Sequence, residues 1–260
     1  KAFGNSRIPG DVHKLFAEEM VQLYQPLRLK QTLFARQSVL EKGSLMQEIP
    51  KPGVDPTQGV KASRGVAMAD DSGKIGDRSF RRTISEPYKQ FSRPNAFGGI
   101  KNRATDMATL LLTTVLRNKI EEKMSFAPLF IDLVSAFDYM SRQLNFEHEQ
   151  PVFGNMQVGP RAKAIIRNAF LFTWESVEGV SEILWTGRGS RPGTPHADWA
   201  FGTIMSHCVN IIIDRCEQQG IYLTIAFENN SPILTTRKQG EGVVYVKASD
   251  ILFVDDLALL

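Results

Sequence analysis

Cysteine is nearly absent from this 260-residue chain: Cys208 and Cys216 are the only two, both within one apolar run. Two thiols so placed form neither a disulfide framework nor a metal knuckle, and they fit a reducing compartment. Long hydrophobic runs are missing too. The apolar stretches are too short and too interrupted to span a bilayer, so no membrane partner is expected. The 20 glycines and 13 prolines are too few for collagen or for low-complexity disorder. No repeat recurs at solenoid or propeller periods. The chain opens Lys1-Ala2-Phe3-Gly4-Asn5, with neither a signal peptide nor an initiating methionine, and is expected to be a segment of a longer product.

What is present is ordinary for a folded protein, with 42% hydrophobic and 23% charged residues. The net charge of +3 is unevenly spread. Residues 1–50 carry a balance of +2, residues 51–120 carry 13 basic and 6 acidic side chains, and residues 121–260 carry 11 basic and 17 acidic ones. A basic stretch followed by an acidic one suits a polyanion held near divalent metal, and equally two ordinary solvated surfaces.

Apolar spacing predicts two amphipathic helices within residues 11–42, interrupted at Pro26. Residues 50–77, rich in Pro, Gly and Asp, read as loops and short strands. Helices are predicted over 104–122, from Pro160 to about Trp174, and from Ala197 to Gln219, with Gly220 as the last one's stop. Strand candidates are 128–131, 183–185, 221–227, 243–247 and 251–254. This mixture predicts an α+β fold.

Two of those strands end in aspartate. One gives Phe130-Ile131-Asp132, followed by Phe137-Asp138; the other gives Phe253-Val254-Asp255-Asp256 with four apolar residues on each side. Adjacent aspartates in such a setting read as a hairpin tip. Carboxylates a few ångströms apart stay ionised when a cation lies between them, and Mg²⁺ is the economical one, with Mn²⁺ as alternative. Two such ions are the usual means of phosphoryl transfer. A surface turn and a helix cap are the plainer reading of the same residues.

At this point the chain resembles the reverse transcriptases of the non-LTR retrotransposon type. Residues 130–138 resemble motif A, and Phe253-Val254-Asp255-Asp256 resembles motif C. Gly189-Ser190-Arg191-Pro192-Gly193-Thr194-Pro195, with Phe201 beyond, resembles motif B. Arg64-Gly65-Val66 with Gly73-Lys74, and the run Phe97 to Asp106, resemble the finger motifs, although Asp106 arrives one residue early. The resemblance covers about residues 45–260. It implies a right-hand polymerase with an N-terminal helical lead-in (1–45), fingers (46–124) and a mainly antiparallel palm (125–260), the thumb being absent. It implies transfer of dNTPs to a DNA primer on an RNA template by two-metal chemistry. Asp132, Asp255 and Asp256 would hold the metals and carry catalysis. Arg103, Lys101, Phe137 and Gly193 would meet the nucleotide, and Arg64, Lys74, Gly189 and Arg191 would touch template or triphosphate. Phe137 stands where a bulky ring excludes a 2′-hydroxyl. Nuclear action would follow from the family alone.

Motif B departs from the family pattern, with Pro192 in place of Gln, Thr194 in place of Asp, and Ala197-Asp198 in place of the later Ser-Pro. The strand returning from the motif C hairpin is expected to be cut short, and the segment by itself to synthesise weakly or not at all. Three other readings stand beside the leading one: a retroelement-derived remnant that binds nucleic acid without catalysis, an RNA-dependent RNA polymerase, and a protein unrelated to nucleic acid with an acidic hairpin. Glu147-His148-Glu149 reads as a solvated loop, His207, Cys208 and Cys216 as parts of an apolar helix, and Trp174, Trp185 and Trp199 as core.

Overall fold

The computed structural model describes residues 4–147, 152–170, 173–177, 183–228, 243–254 and 256–260. In chain order its helices are α1 (Gly10–Leu15), α2 (Ala17–Phe34), α3 (Val39–Lys42), α4 (Asp71–Phe91), α5 (Thr105–Glu121), α6 (Ala136–Tyr139), α7 (Pro160–Phe170) and α8 (Ala197–Gln218). Its strands are β1 (Gly43–Pro50), β2 (Ser63–Ala69), β3 (Ala96–Phe97), β4 (Leu129–Ile131), β5 (Thr173–Val177), β6 (Ile183–Thr186), β7 (Leu223–Glu228), β8 (Val243–Ala248), β9 (Asp250–Phe253) and β10 (Asp256–Leu259). The fold is α+β, as composition and periodicity predict, and its two larger sheets mix parallel with antiparallel pairing. Among the described residues no helix is long and apolar enough to cross a membrane.

The residues cluster into two compact units, each drawn from two stretches of chain. Unit 1 takes Lys1–Phe91 with Ser135–Phe201, and unit 2 takes Ser92–Val134 with Gly202–Leu260.

Unit 1 is built on a four-stranded sheet ordered β2-β1-β5-β6. β1 pairs antiparallel with β2, with Ser44 opposite Ala69, and parallel with β5, with Gly43 opposite Trp174. Its aromatic core stacks Phe146 on Phe170 at 5.0 Å and sets Phe153 against Trp199 at 5.3 Å. Such offset and tilted ring pairs add to the burial of their area.

Three expectations fail here for physical reasons. Helix α2 runs straight through Pro26, and the chain breaks at Phe16 instead (φ −114°, ψ 45°). Gln22, whose carbonyl loses its donor to the proline, is exposed, so water can take that bond. The stretch expected to be loop as far as residue 77 already contains the start of α4, a 21-residue helix that holds Gly73, Gly76 and Pro87 and buries Ile84 and Tyr88. Helix α7 ends at Phe170, and Trp174 lies in β5, where its Nε1 donates to the Val39 carbonyl at 2.9 Å.

Unit 2 carries a second four-stranded sheet, ordered β3-β9-β10-β4, and a separate hairpin of β7 and β8. β3 runs parallel to β9, while β9, β10 and β4 are antiparallel in turn. Phe97, Ala108, Ile251 and Ala258 form one buried cluster, and Val115, Ile225 and Ala248 another, so α5 contributes to both. The returning strand after the aspartates, expected to be cut short, forms β10 and pairs on both sides. Leu257 and Ala258 are both buried although they project to opposite faces, so the short strand is covered on both sides of the sheet.

Candidate functional site

The hairpin of β9 and β10 closes with Phe253 paired to Asp256, leaving Val254 and Asp255 between them. Val254 has φ 58°, an uncommon conformation for a β-branched residue. Asp255 lies outside the described residues. On the other edge of β10, Leu257 pairs with Ile131 and Ala258 with Phe130. The pairing ends at Ile131, with Asp132 following it just past β4 and Asp256 opening β10. Asp132 and Asp256 are both exposed. Exposed hard oxygen donors at the ends of neighbouring strands are of the kind a divalent cation such as Mg²⁺ takes. Among the described residues no group of three or more His, Cys, Asp or Glu side chains is gathered in a way that could hold a metal ion.

The base of the same hairpin is built differently. Asp250 is fully buried, and Arg93 clamps it with Nε at 2.9 Å and Nη2 at 2.6 Å. Arg93 Nη1 also donates to Asn210 Oδ1, and Ser249 Oγ donates to Asp250 Oδ1 at 2.8 Å. A bidentate guanidinium on a desolvated carboxylate fixes both distance and angle. Gly98, φ 103°, passes so close to the tip that a Cβ there would stand 2.7 Å from Val254 Cγ2. Only glycine allows that approach.

The other expected site residues of unit 2 lie around β3. Arg103 Nη1 donates to the carbonyls of Arg93 at 2.9 Å and Ala96 at 3.0 Å, so part of its guanidinium tethers the start of that strand. Lys101 is exposed in the turn before α5.

In unit 1 the glycine-containing loop before α8 folds back on α6 and β2. Gly189 N donates to Met140 O and Ser190 N to Phe137 O, both at 2.8 Å, while Ala67 N donates to Pro192 O at 3.0 Å. Gly193, φ 101°, lies against β2, where a Cβ would come 2.7 Å from Ala67 O. The loop therefore brings together Phe137, Gly189 and Gly193 of the expected set. Phe137 is half-buried, its ring 5.1 Å from that of Phe201. Arg64 is exposed on β2, and Lys74 on α4 pairs with Asp71 at 3.6 Å.

Arg191 points inward. It is 9% exposed, donates from Nη1 to Lys42 O at 2.6 Å, and is pulled below the ordinary guanidinium range by burial, against the opposing pull of Glu175 and Asp77. Burial likewise raises Glu175 above the usual glutamate range, while Arg191 and Arg142 pull it down. Asp138 is raised by desolvation.

Sequence reading missed the group that anchors this loop. Trp199 Nε1 donates to His196 Nδ1 at 3.0 Å, and His196 Nε2 faces Asp77 Oδ1 at 3.4 Å. Gln37 Nε2 donates to the same Asp77 oxygen at 2.6 Å. One turn away Arg81 grips Asp198 through two bonds of 2.6 Å each. The only signal in sequence was His196 and Trp199 at helical spacing; their partners lie far upstream.

Of the remaining candidates, His148 and Glu149 lie outside the described residues. Cys208 and Cys216 are half-buried free thiols on α8. Trp174 and Trp199 are buried, as expected of core residues, but Trp185 is 67% exposed. It belongs to β6, which among the described residues pairs only with β5. No protein-family model matches the chain, and no curated protein matches it in sequence.

Proposed function

We propose that the chain is the fingers-and-palm part of an RNA-directed DNA polymerase of the non-LTR type. The observation that supports this reading is the pairing of β10 with both β4 and β9, which makes the strand that Asp132 follows a neighbour of the strand that Asp256 opens. Two segments far apart in sequence, each resembling a carboxylate-bearing polymerase motif, are thereby neighbours in one sheet. That coincidence is not expected of two unrelated surface aspartates.

In this reading Asp132, Asp255 and Asp256 hold Mg²⁺. Ions bound there would supply a lowered pKa for the primer 3′-hydroxyl and charge compensation at the leaving pyrophosphate. The protein's own part is positioning. Arg93 locks the base of the hairpin so that its tip is fixed. Phe137, held through its backbone by Ser190 and through its ring by Phe201, is the sugar gate that favours deoxynucleotides.

A second reading, a nucleic-acid-binding remnant without catalysis, is favoured by the loop before α8. Pro192 lacks the side-chain amide and backbone donor of the family residue, and the Arg191 guanidinium is turned into the protein.

Primer extension on an RNA template with Mg²⁺ decides between them, with the chain embedded in its natural polypeptide and deoxy- and ribonucleotides compared. Deoxynucleotide extension that Asp255→Asn and Asp132→Asn each abolish supports the polymerase. Ribonucleotide preference moves the protein to the RNA polymerases. RNA binding without extension supports the remnant.

A further inference from the structure

Unit 1 holds a cavity of about 550 Å³ between the end of α2 and the start of α7, a size that takes a nucleotide-sized ligand. Two hydrogen bonds of 3.0 Å tie its walls: Arg161 Nη2 to Leu33 O, and Gln37 N to Asn168 Oδ1. Phe146 and Phe153, both buried, belong to its lining, while Phe34 stands at its rim, 68% exposed. Arg36, Lys163 and Arg167 also line it, and no lining residue is acidic. Arg36 and Arg167 are exposed. A second cavity of about 600 Å³ adjoins, shares Phe34 and Arg36, and adds Lys30. Its one carboxylate, Glu41, is already paired with Arg28 at 2.7 Å. The two cavities thus form a cationic groove on either side of an exposed ring.

An independent feature points to a ligand. Asn145, a lining residue of the first cavity, is wholly buried; its Nδ2 donates to Ala200 O at 3.0 Å, and its Oδ1 has no partner among the described residues. The amide cannot be turned to cure this, because that would set oxygen against oxygen. A buried acceptor without a donor is costly, and an N–H from the edge of a base would relieve it.

We propose that this groove binds single-stranded nucleic acid through two successive nucleotides, with phosphates on Arg36, Arg167 and Lys30 and one base stacked on Phe34. An aromatic platform flanked by cations is the physical recipe for such binding. An acidic peptide would satisfy the cations, and its backbone N–H groups could reach Asn145, but an acidic side chain offers no flat ring to stack on Phe34. The inference stands apart from the polymerase reading, since every residue it uses belongs to unit 1 and the paired aspartates belong to unit 2.

The test is fluorescence polarisation of a labelled single-stranded adenosine decamer with the full chain, without Mg²⁺ and over a range of salt. Arg36→Glu with Arg167→Glu is expected to weaken binding at least about tenfold and to flatten the salt dependence by about 1.4 in log–log slope, two phosphate contacts being lost. Phe34→Ala, a surface change, is expected to weaken it about tenfold. Arg36→Lys with Arg167→Lys is expected to retain most of the affinity. Unchanged affinity in the charge-reversed chain, its circular dichroism being native, overturns the proposal. So does competition by AMP or polyglutamate as effective as that of unlabelled decamer. Binding that behaves as expected in a chain that never extends a primer removes the polymerase reading and leaves the groove.

Discussion

Both units of this protein carry carboxylates beside their strands, and they treat them in opposite ways. In unit 1, Glu175 and Asp77 are enclosed: Asp77 accepts from Gln37 and faces His196, and Glu175 shares its buried surroundings with Arg191 and Arg142. In unit 2 both treatments occur. Asp250 at the start of β9 is sealed under Arg93, whereas Asp132, just past β4, and Asp256, at the start of β10, are exposed. A carboxylate whose oxygens are filled by guanidinium and hydroxyl donors works as a bolt. An exposed carboxylate keeps the solvent access that a metal ion would need. The contrast sets one buried, clamped aspartate against two exposed ones along a single sheet.

The sharpest way to break that contrast is at the tip. Asp132→Asn should reduce primer extension to background while leaving stability within about 0.5 kcal/mol of the parent, as read by urea unfolding. Unfolding instead would make the tip structural and erase the distinction. At the base, Arg93→Ala should cost about 3–5 kcal/mol, because it leaves Asp250 charged and buried without its partner. A urea midpoint within error of the parent would show that the clamp bears no load.

Gly98→Ala should cost less, about 1–3 kcal/mol, since the new methyl group meets Val254 at a backbone angle that side chains resist. Its effect on extension should exceed its effect on stability, for it displaces the tip rather than the core. The smallest effect concerns pH. Burial raises Glu175, so the folded chain keeps this proton where the unfolded chain has already released it. Stability from this group is complete below the ordinary glutamate pKa and is lost as pH rises through the raised value. Glu175→Gln should flatten that part of the profile when urea midpoints are followed across the acidic range. A steeper slope in the variant would reverse the assignment.

Much of the fold was legible from local pattern. The 3.6-residue period found α5 and α8, and short β-branched and aromatic runs found β4, β6 and β9. Legibility failed where the sequence carries contradictory signals. Helix α4 contains two glycines, a proline and many arginines, and its buried face rests on few apolar residues, so composition outweighed period. Pro26 was given more breaking power than an exposed helix lets it have. At the site, residue type and motif spacing named Asp132 and Asp256, but only strand pairing makes β4 and β10, at whose ends they stand, neighbours. Asp255 lies outside the described residues. Arg191 was expected to touch template or triphosphate because its loop resembles motif B. Its engagement with Lys42 and its burial are tertiary facts that no local pattern encodes.

The division of each unit between two stretches of chain also governs how the protein can be made. Gly43 must wait for Trp174 before β1 gains its parallel neighbour, and β4 must wait for Leu257 and its neighbours on β10. Pairings of such sequence separation close slowly. During synthesis unit 1 has all its residues once Phe201 has emerged, while residues 92–134 are still without the second half of their own unit. That segment ends with the exposed apolar residues Leu129, Phe130 and Val134. The ribosome therefore releases an unpaired strand edge well before its partner exists, and this interval is the point at which the chain most needs shielding from its neighbours.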